Sequence, residues 1–290
     1  MTTTAWIFPG QGSQKVGMVA DLTSQPAAQE KLAAAEEILG WSVLDACVDE
    51  AKLSDTRYTQ PCLYIVEALL VDAMRERGTA DFVAGHSLGE YVALYGAQVF
   101  DFASGLQLVK QRAELMAATE GGKMIAMMGF EREALEAAIA ANPDVVLAND
   151  NSSGQVVISG TPAAVDAIAA SVKSKRAVPL AVSGAFHSPL MNPAAANFQT
   201  ALDGVTFQTA QIPVFSNVDP TPATAADVLK TRLSQQMTGS VRWREIMAAL
   251  VAKQVETVVE IGPGNVLTGL FKREYREINR VNVSAIANLP

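Results

Sequence analysis

Several residue types are scarce in this chain, and each scarcity excludes something. Cysteine occurs twice, at Cys47 and Cys62, among 290 residues. Two thiols cannot build a disulfide framework, and their spacing is not that of a metal site. They read as small apolar filler in a reduced, cytoplasmic setting. No apolar run reaches the roughly 18 residues needed to cross a bilayer, so no membrane association is expected. The first residues, Met1-Thr2-Thr3-Thr4-Ala5-Trp6, lack a charged start followed by an apolar stretch, and no signal peptide is expected. Positive charge is in deficit: 22 Lys and Arg face 30 Asp and Glu, a net charge of −8. A general nucleic-acid binder needs a basic surface, so that class is excluded. Histidine is scarcest in its consequences. The chain has two, His86 and His187, so any imidazole chemistry must use one of them.

What is present is a globular balance, 49% hydrophobic and 18% charged. The length suits one large core with a smaller inserted unit. Segment 4–8 is a short apolar run that stops at Pro9-Gly10 and reads as a buried strand. Helices are expected at 26–39, closed by Gly40, and at 60–77, closed by Gly78. A second strand, 82–84, runs into Gly85-His86-Ser87-Leu88-Gly89, followed by helices at 90–97 and 102–119. The middle changes character. Strands at 123–128, 144–148, 155–159 and 177–182 alternate with helices at 132–141 and 162–175. That order is β-α-β-β-α-β, the ferredoxin-like pattern. Afterwards strands (212–216, 256–261, 281–286) and helices (225–236, 241–252, 265–273) alternate again. Such alternation predicts a parallel sheet covered on both faces. The fold class is therefore α/β, with a large domain at 1–122 and 192–290 and an inserted small domain at 123–191.

Gly85-His86-Ser87-Leu88-Gly89 matches G-x-S-x-G and lies between a strand and a helix, where a nucleophile elbow belongs. A tight turn pushes the serine out of the surface, and the Leu88 amide opens the helix toward developing negative charge. A serine hydroxyl needs a base to become nucleophilic. His86 is next to Ser87 on the turn and should point elsewhere. That leaves His187, in Ala185-Phe186-His187-Ser188, just after the last strand of the small unit. No carboxylate is selected as the third member of a triad. Glu256, Glu260 or a backbone carbonyl remain open for that place. The loop Phe8-Pro9-Gly10-Gln11-Gly12-Ser13-Gln14 should share the sheet edge of the elbow, and the Gln11 amide is a candidate second oxyanion donor. It is not a P-loop, because Met18 follows Gly17. Gly262-Pro263-Gly264 lacks dinucleotide-loop spacing and reads as a turn into a helix. Arg112 alone reads as part of a solvated helix face.

The chain resembles the malonyl-CoA:acyl carrier protein transacylase family of fatty acid synthesis along nearly its whole length. The matching segments are the Phe8–Gln14 loop, Thr59-Gln60-Pro61, Ala84-Gly85-His86-Ser87-Leu88-Gly89-Glu90-Tyr91 and Gln111-Arg112. Further matches are Gly154-Gln155-Val156-Val157-Ile158-Ser159-Gly160, Ala185-Phe186-His187 and Glu260-Ile261-Gly262-Pro263-Gly264-Asn265-Val266-Leu267. They occur in the family's order and spacing. The resemblance implies an α/β-hydrolase-like large domain with a ferredoxin-like insertion. It implies Ser87 as acylated nucleophile, His187 as base, and the Gln11 and Leu88 amides as oxyanion hole. Arg112 would grip the malonyl carboxylate with its guanidinium fork. The Gln236 carbonyl would steady the histidine, and Gln60 and Asn151 would line the pocket. Phe186 would crowd a branched extender. The implied substrates are malonyl-CoA and an acyl carrier protein that brings its own phosphopantetheine, with no resident cofactor or metal. The lack of a long exposed heptad suggests a monomer. Cations at 173, 175 and 176, or at 272, 273 and 276, are candidates to dock the acidic carrier protein. The rival readings are a serine esterase, which has no use for Arg112, and a non-catalytic carrier-protein scaffold.

Overall fold

The computed structural model describes residues 2–290. Met1, where the expected large domain begins, lies outside the described residues. The described strands are β1 (Thr4–Phe8), β2 (Phe82–Gly85), β3 (Lys123–Phe130), β4 (Val145–Ser152), β5 (Gln155–Gly160), β6 (Ser174–Pro179), β7 (Val214–Phe215), β8 (Thr257–Ile261) and β9 (Asn279–Val283). Five of them form a sheet in the order β7-β2-β1-β8-β9, parallel at every pairing. β1 is central and almost wholly buried, which explains its unbroken apolar run. Its side chains alternate between two cores. Trp6 and Phe8 join the cluster under the helix Thr56–Arg75. Ala5 and Ile7 join Trp243, Leu267 and Phe271 on the other face.

The remaining strands form a sheet in the order β4-β5-β3-β6, antiparallel throughout. With the helices Arg132–Ala140 and Pro162–Ser171 this is the ferredoxin-like arrangement. All its strands fall within 123–191. β4 runs to Ser152, beyond the expected 148, and carries register irregularities at Leu147/Asn149 and Asp150/Ser152. There it pairs with Val241, just before the helix Trp243–Ala252. Asp150 N–H donates to Val241 O at 2.9 Å, and Val241 N–H donates to Ala148 O at 2.8 Å.

Several boundaries differ from expectation. The helix expected at 162–175 stops at Ser171, and the strand expected at 177–182 begins at Ser174. Val172 is the cause: it is extended and buried in the small core, so the chain leaves the helix there. Lys175 and Arg176 therefore belong to an edge strand, not to a helix end. The helix expected from 60 starts at Thr56, because the Asp55 side chain caps it by accepting from Arg57 N–H. Three helices were not expected: Val43–Val48, Glu50–Ser54 and Asn192–Gly204. Among the described residues no helix is long and apolar enough to cross a membrane.

Candidate active site

β1 and β2 run side by side with Phe8 opposite Gly85, so their following loops leave the sheet together. The two backbones nearly touch. A Cβ on Gly10 would lie 2.5 Å from His86 O, and one on Gly89 would lie 2.1 Å from Phe8 O. Glycine at these positions is a packing requirement, and it brings the loops that carry Gln11 and Leu88 together. Among the described residues neither amide donates to a protein acceptor.

Ser87 sits at φ 53°. That left-handed backbone costs a non-glycine residue about 1–3 kcal/mol and must be held by its surroundings. Here the holding is visible. Ser87 N–H donates to Asn217 Oδ1 at 2.7 Å, and Asn217 Nδ2 donates to Gly85 O at 2.6 Å. Gln236 Nε2 donates to Ser87 O at 2.8 Å.

His187 arrives on the loop after β6, also left-handed at φ 57° and buried. Its Nε2 lies 2.8 Å from Ser87 Oγ. Its Nδ1 faces two backbone carbonyls, Gln236 O at 2.9 Å and Gly239 O at 3.2 Å. Carbonyls only accept, so Nδ1 carries the proton and Nε2 presents its lone pair to the serine hydroxyl. Burial, reinforced by the nearby Arg112 charge, pushes the His187 pKa down to about 3. The imidazole is therefore neutral at ordinary pH, as a base must be. Among the described residues no carboxylate stands behind it. Glu260 instead caps the helix Val266–Glu274, accepting from Leu267 N–H at 3.0 Å and Thr268 N–H at 2.8 Å. Glu256 is exposed, just before the start of β8 and away from the loops.

His86 turns away from the hydroxyl, as its place on the turn suggested. Its Nε2 pairs with Asn151 Oδ1 at 2.8 Å, and its ring packs near Trp243. Burial pushes its pKa down as well. Asn151, expected in the pocket lining, thus has its side-chain oxygen engaged by His86. Phe186 is buried in the large core, directly before the histidine.

Arg112 overturns the solvated-face reading: its side chain is fully buried. NH1 donates to Gln60 Oε1 at 2.6 Å, and NH2 donates to Ser87 Oγ and Gln236 Oε1, both at 3.0 Å. Among the described residues Nε is buried with no hydrogen-bond partner. Gln60 Nε2 reaches Gln11 Oε1 at 3.5 Å, and Gln11 Nε2 donates to Thr56 Oγ1 at 3.0 Å. Among the described residues no carboxylate pairs with this guanidinium. A buried cation that touches no carboxylate is costly unless something anionic comes to it.

The structure thus gathers Ser87, His187, Arg112, Gln60, Gln11, Leu88 and Gln236 at one sheet edge. Sequence reasoning missed Asn217, Glu90 and Gly239. Asn217 lies just past β7, at the same strand ends that line the site, and its position carried the signal. Among the described residues no cluster of three or more His, Cys, Asp or Glu is placed to hold a metal ion.

Residues 5–289 match the acyl transferase domain family. The chain belongs to this family. The acyltransferase is 57% identical over 288 residues to a malonyl CoA-acyl carrier protein transacylase of Synechocystis sp., covering 99% of this chain and 98% of the relative. The crystal structure of the Synechocystis malonyl-CoA:ACP transacylase superposes with a TM-score of 0.97 at 56% identity, covering 99% of this chain and 98% of that one. A malonyl-transacylase solved in complex with a type II polyketide synthase acyl carrier protein superposes with a TM-score of 0.92 at 37% identity, covering 99% and 97%.

Proposed function

We propose that this acyltransferase moves malonyl from malonyl-CoA to the phosphopantetheine thiol of acyl carrier protein through an ester on Ser87. The single observation that carries the malonyl assignment is Arg112: a buried guanidinium in contact with no carboxylate among the described residues, whose NH2 is 3.0 Å from Ser87 Oγ. In malonyl the carboxylate carbon is two bonds from the reacting carbonyl carbon. An acyl group on Ser87 would place that carboxylate beside the fork, where charge-assisted hydrogen bonds favour it.

The chemistry runs in two balanced halves. His187 Nε2 takes the Ser87 hydroxyl proton as Oγ attacks the thioester carbonyl. The oxyanion falls to the free amides of Gln11 and Leu88. The C–S bond breaks, and the CoA sulfur takes the proton from His187. The carrier's thiol then gives its proton to His187 and attacks the ester. The C–O bond breaks, and Ser87 recovers its hydrogen. Through both halves the Gln236 and Gly239 carbonyls hold the imidazolium by its Nδ1–H. Proton transfer and carbonyl addition supply the whole reaction, so no resident cofactor is required. We take 123–191 as a separate small domain whose return loop delivers His187 to the cleft, with Phe186 and Gln60 shaping the acyl pocket. The cytoplasm suits a chain whose Cys47 and Cys62 are both free thiols.

For the carrier protein, the favoured dock is the cationic hollow of about 410 Å³ lined by Lys272, Arg273, Arg276 and Arg280. No acidic side chain lines it, in a protein of net charge −8. Lys175 and Arg176 have another explanation, since charge on an edge strand deters edge-to-edge pairing.

The test is Arg112→Ala assayed with malonyl-CoA and acetyl-CoA. The expected loss in kcat/KM for malonyl-CoA is about 10- to 100-fold, from the 1.5–3 kcal/mol of a charged hydrogen bond. Acetyl-CoA should lose little. An equal loss for both substrates would assign Arg112 to the fold alone and favour an unselective esterase.

A further inference from the structure

Gln236 joins four parts of the site. Its backbone carbonyl accepts from His187 Nδ1. Its side-chain oxygen accepts from Arg112 NH2 at 3.0 Å, and its side-chain nitrogen donates both to Ser87 O and to Glu90 Oε2, each at 2.8 Å. Glu90 lies in the first turn of the helix Gly89–Gly96, fully buried. The same Oε2 also accepts from Asn217 N–H at 3.1 Å. Asn217 is the residue that holds Ser87 N–H and Gly85 O. One carboxylate oxygen therefore anchors both residues that hold the elbow, Asn217 by its main-chain N–H and Gln236 by its side chain.

We infer that Glu90 is a positioning residue: the counter-charge to Arg112, acting through the Gln236 amide rather than by contact. An amide between a cation and an anion has one good orientation. Arg112 only donates, so it must meet Oε1. The Glu90 carboxylate and the Ser87 carbonyl only accept, so they must meet Nε2. A reversed amide would set donor against donor and acceptor against acceptor. The two charges thus fix Gln236, and Gln236 in turn fixes the fork and the carbonyl behind His187. Both hydrogen bonds at Glu90 Oε2 are donated to it, and the Ser216 hydroxyl is a further partner of the same carboxyl group. Burial pushes the Glu90 pKa up, while Gln236, Asn217 and Arg112 are among the groups pulling it back. The arrangement also has a functional logic. A direct bidentate pair would occupy the fork that a substrate carboxylate needs. An intervening amide keeps the balancing charge nearby, and the fork is held only by neutral acceptors that a substrate carboxylate can displace.

The inference rests on the malonyl reading, and wild-type protein assayed in parallel separates the two. If wild type shows no preference for malonyl-CoA over acetyl-CoA, that reading fails. If wild type shows the preference and Glu90→Gln keeps it, with kcat/KM for malonyl-CoA within about twofold, the inference fails while the reading stands. The expected result for Glu90→Gln, equal in shape but uncharged, is a loss of at least about tenfold with malonyl-CoA and about threefold or less with acetyl-CoA, at a melting temperature near wild type. Equal losses for both substrates with a lowered melting temperature would make Glu90 merely structural and overturn the proposal. Glu90→Asp keeps the charge and should preserve the malonyl-to-acetyl ratio better than Glu90→Gln. If the Gln variant does not fold, the Asp variant decides alone: a ratio within about threefold of wild type supports the proposal, and a collapsed ratio overturns it.

Discussion

The two sides of the cleft are held by different means. On the serine side, backbone packs on backbone: Gly10 against His86, Gly89 against Phe8. Asn217 and Gln236 then pin the strained Ser87 peptide from both ends. On the histidine side, a loop carries His187, and the ring's own bonds to Gln236 O and Gly239 O aim the imidazole. The serine is placed by the fold, whereas the histidine is placed by its own side chain. Damage on the first side should therefore cost stability and activity together. Damage on the second should cost activity alone.

The sharpest break of that comparison is a pair of variants. His187→Ala is expected to lower kcat by roughly a thousandfold or more, as losses of a triad base do, with a melting temperature within a few degrees of wild type. Gly89→Ala puts a methyl 2.1 Å from a backbone oxygen that has no easy retreat. It should destabilise by about 3 kcal/mol or more and lose activity in proportion to unfolding. Activity and thermal melts on both variants check this. A destabilised His187→Ala beside a stable Gly89→Ala would reverse the comparison.

A smaller effect concerns pH. In the free enzyme His187 becomes protonated only near pH 3. It binds no proton between 6.5 and that value, so it stays a competent base as pH falls through the range where an ordinary histidine is lost. The acid limb of kcat/KM should lie well below 6.5. Stopped-flow acylation should therefore show no acid limb across pH 4–8, and an inflection near 6.5 would show an imidazole in water rather than in this pocket. Smallest of all is the docking surface. Lys272→Glu with Arg276→Glu should raise KM for the carrier protein about threefold to tenfold and leave malonyl loading of Ser87 unchanged. An unchanged KM would move the dock elsewhere.

The same contrast explains what the sequence could tell. The elbow was legible because its glycines, strand and helix are contiguous, and local sterics dictate the turn. His187 was legible by scarcity, being one of two histidines. The β-α-β-β-α-β order was legible from alternation, although the edge strand slid by three residues. There the burial of Val172 overrode helix propensity, a tertiary fact with no local signature. The helix Asn192–Gly204 was missed despite its opening proline and its buried Ala194, Phe198 and Leu202 at four-residue spacing. The burial of Arg112 could not be read from its own helix, because the groups that enclose it, Gln60 and Gln236, are 52 and 124 residues away. Asn217 was legible only by its place after a strand end, and the bonds of both Asn217 and Glu90 join segments that meet only in the folded chain.

The most direct test of the account is a covalent one. Wild-type protein incubated with malonyl-CoA in the absence of carrier protein, quenched and digested, should carry a malonyl ester on the peptide containing Ser87. Ser87→Ala should carry none. A malonyl adduct that survives in the alanine variant, or wild-type turnover with no adduct at Ser87, would contradict it.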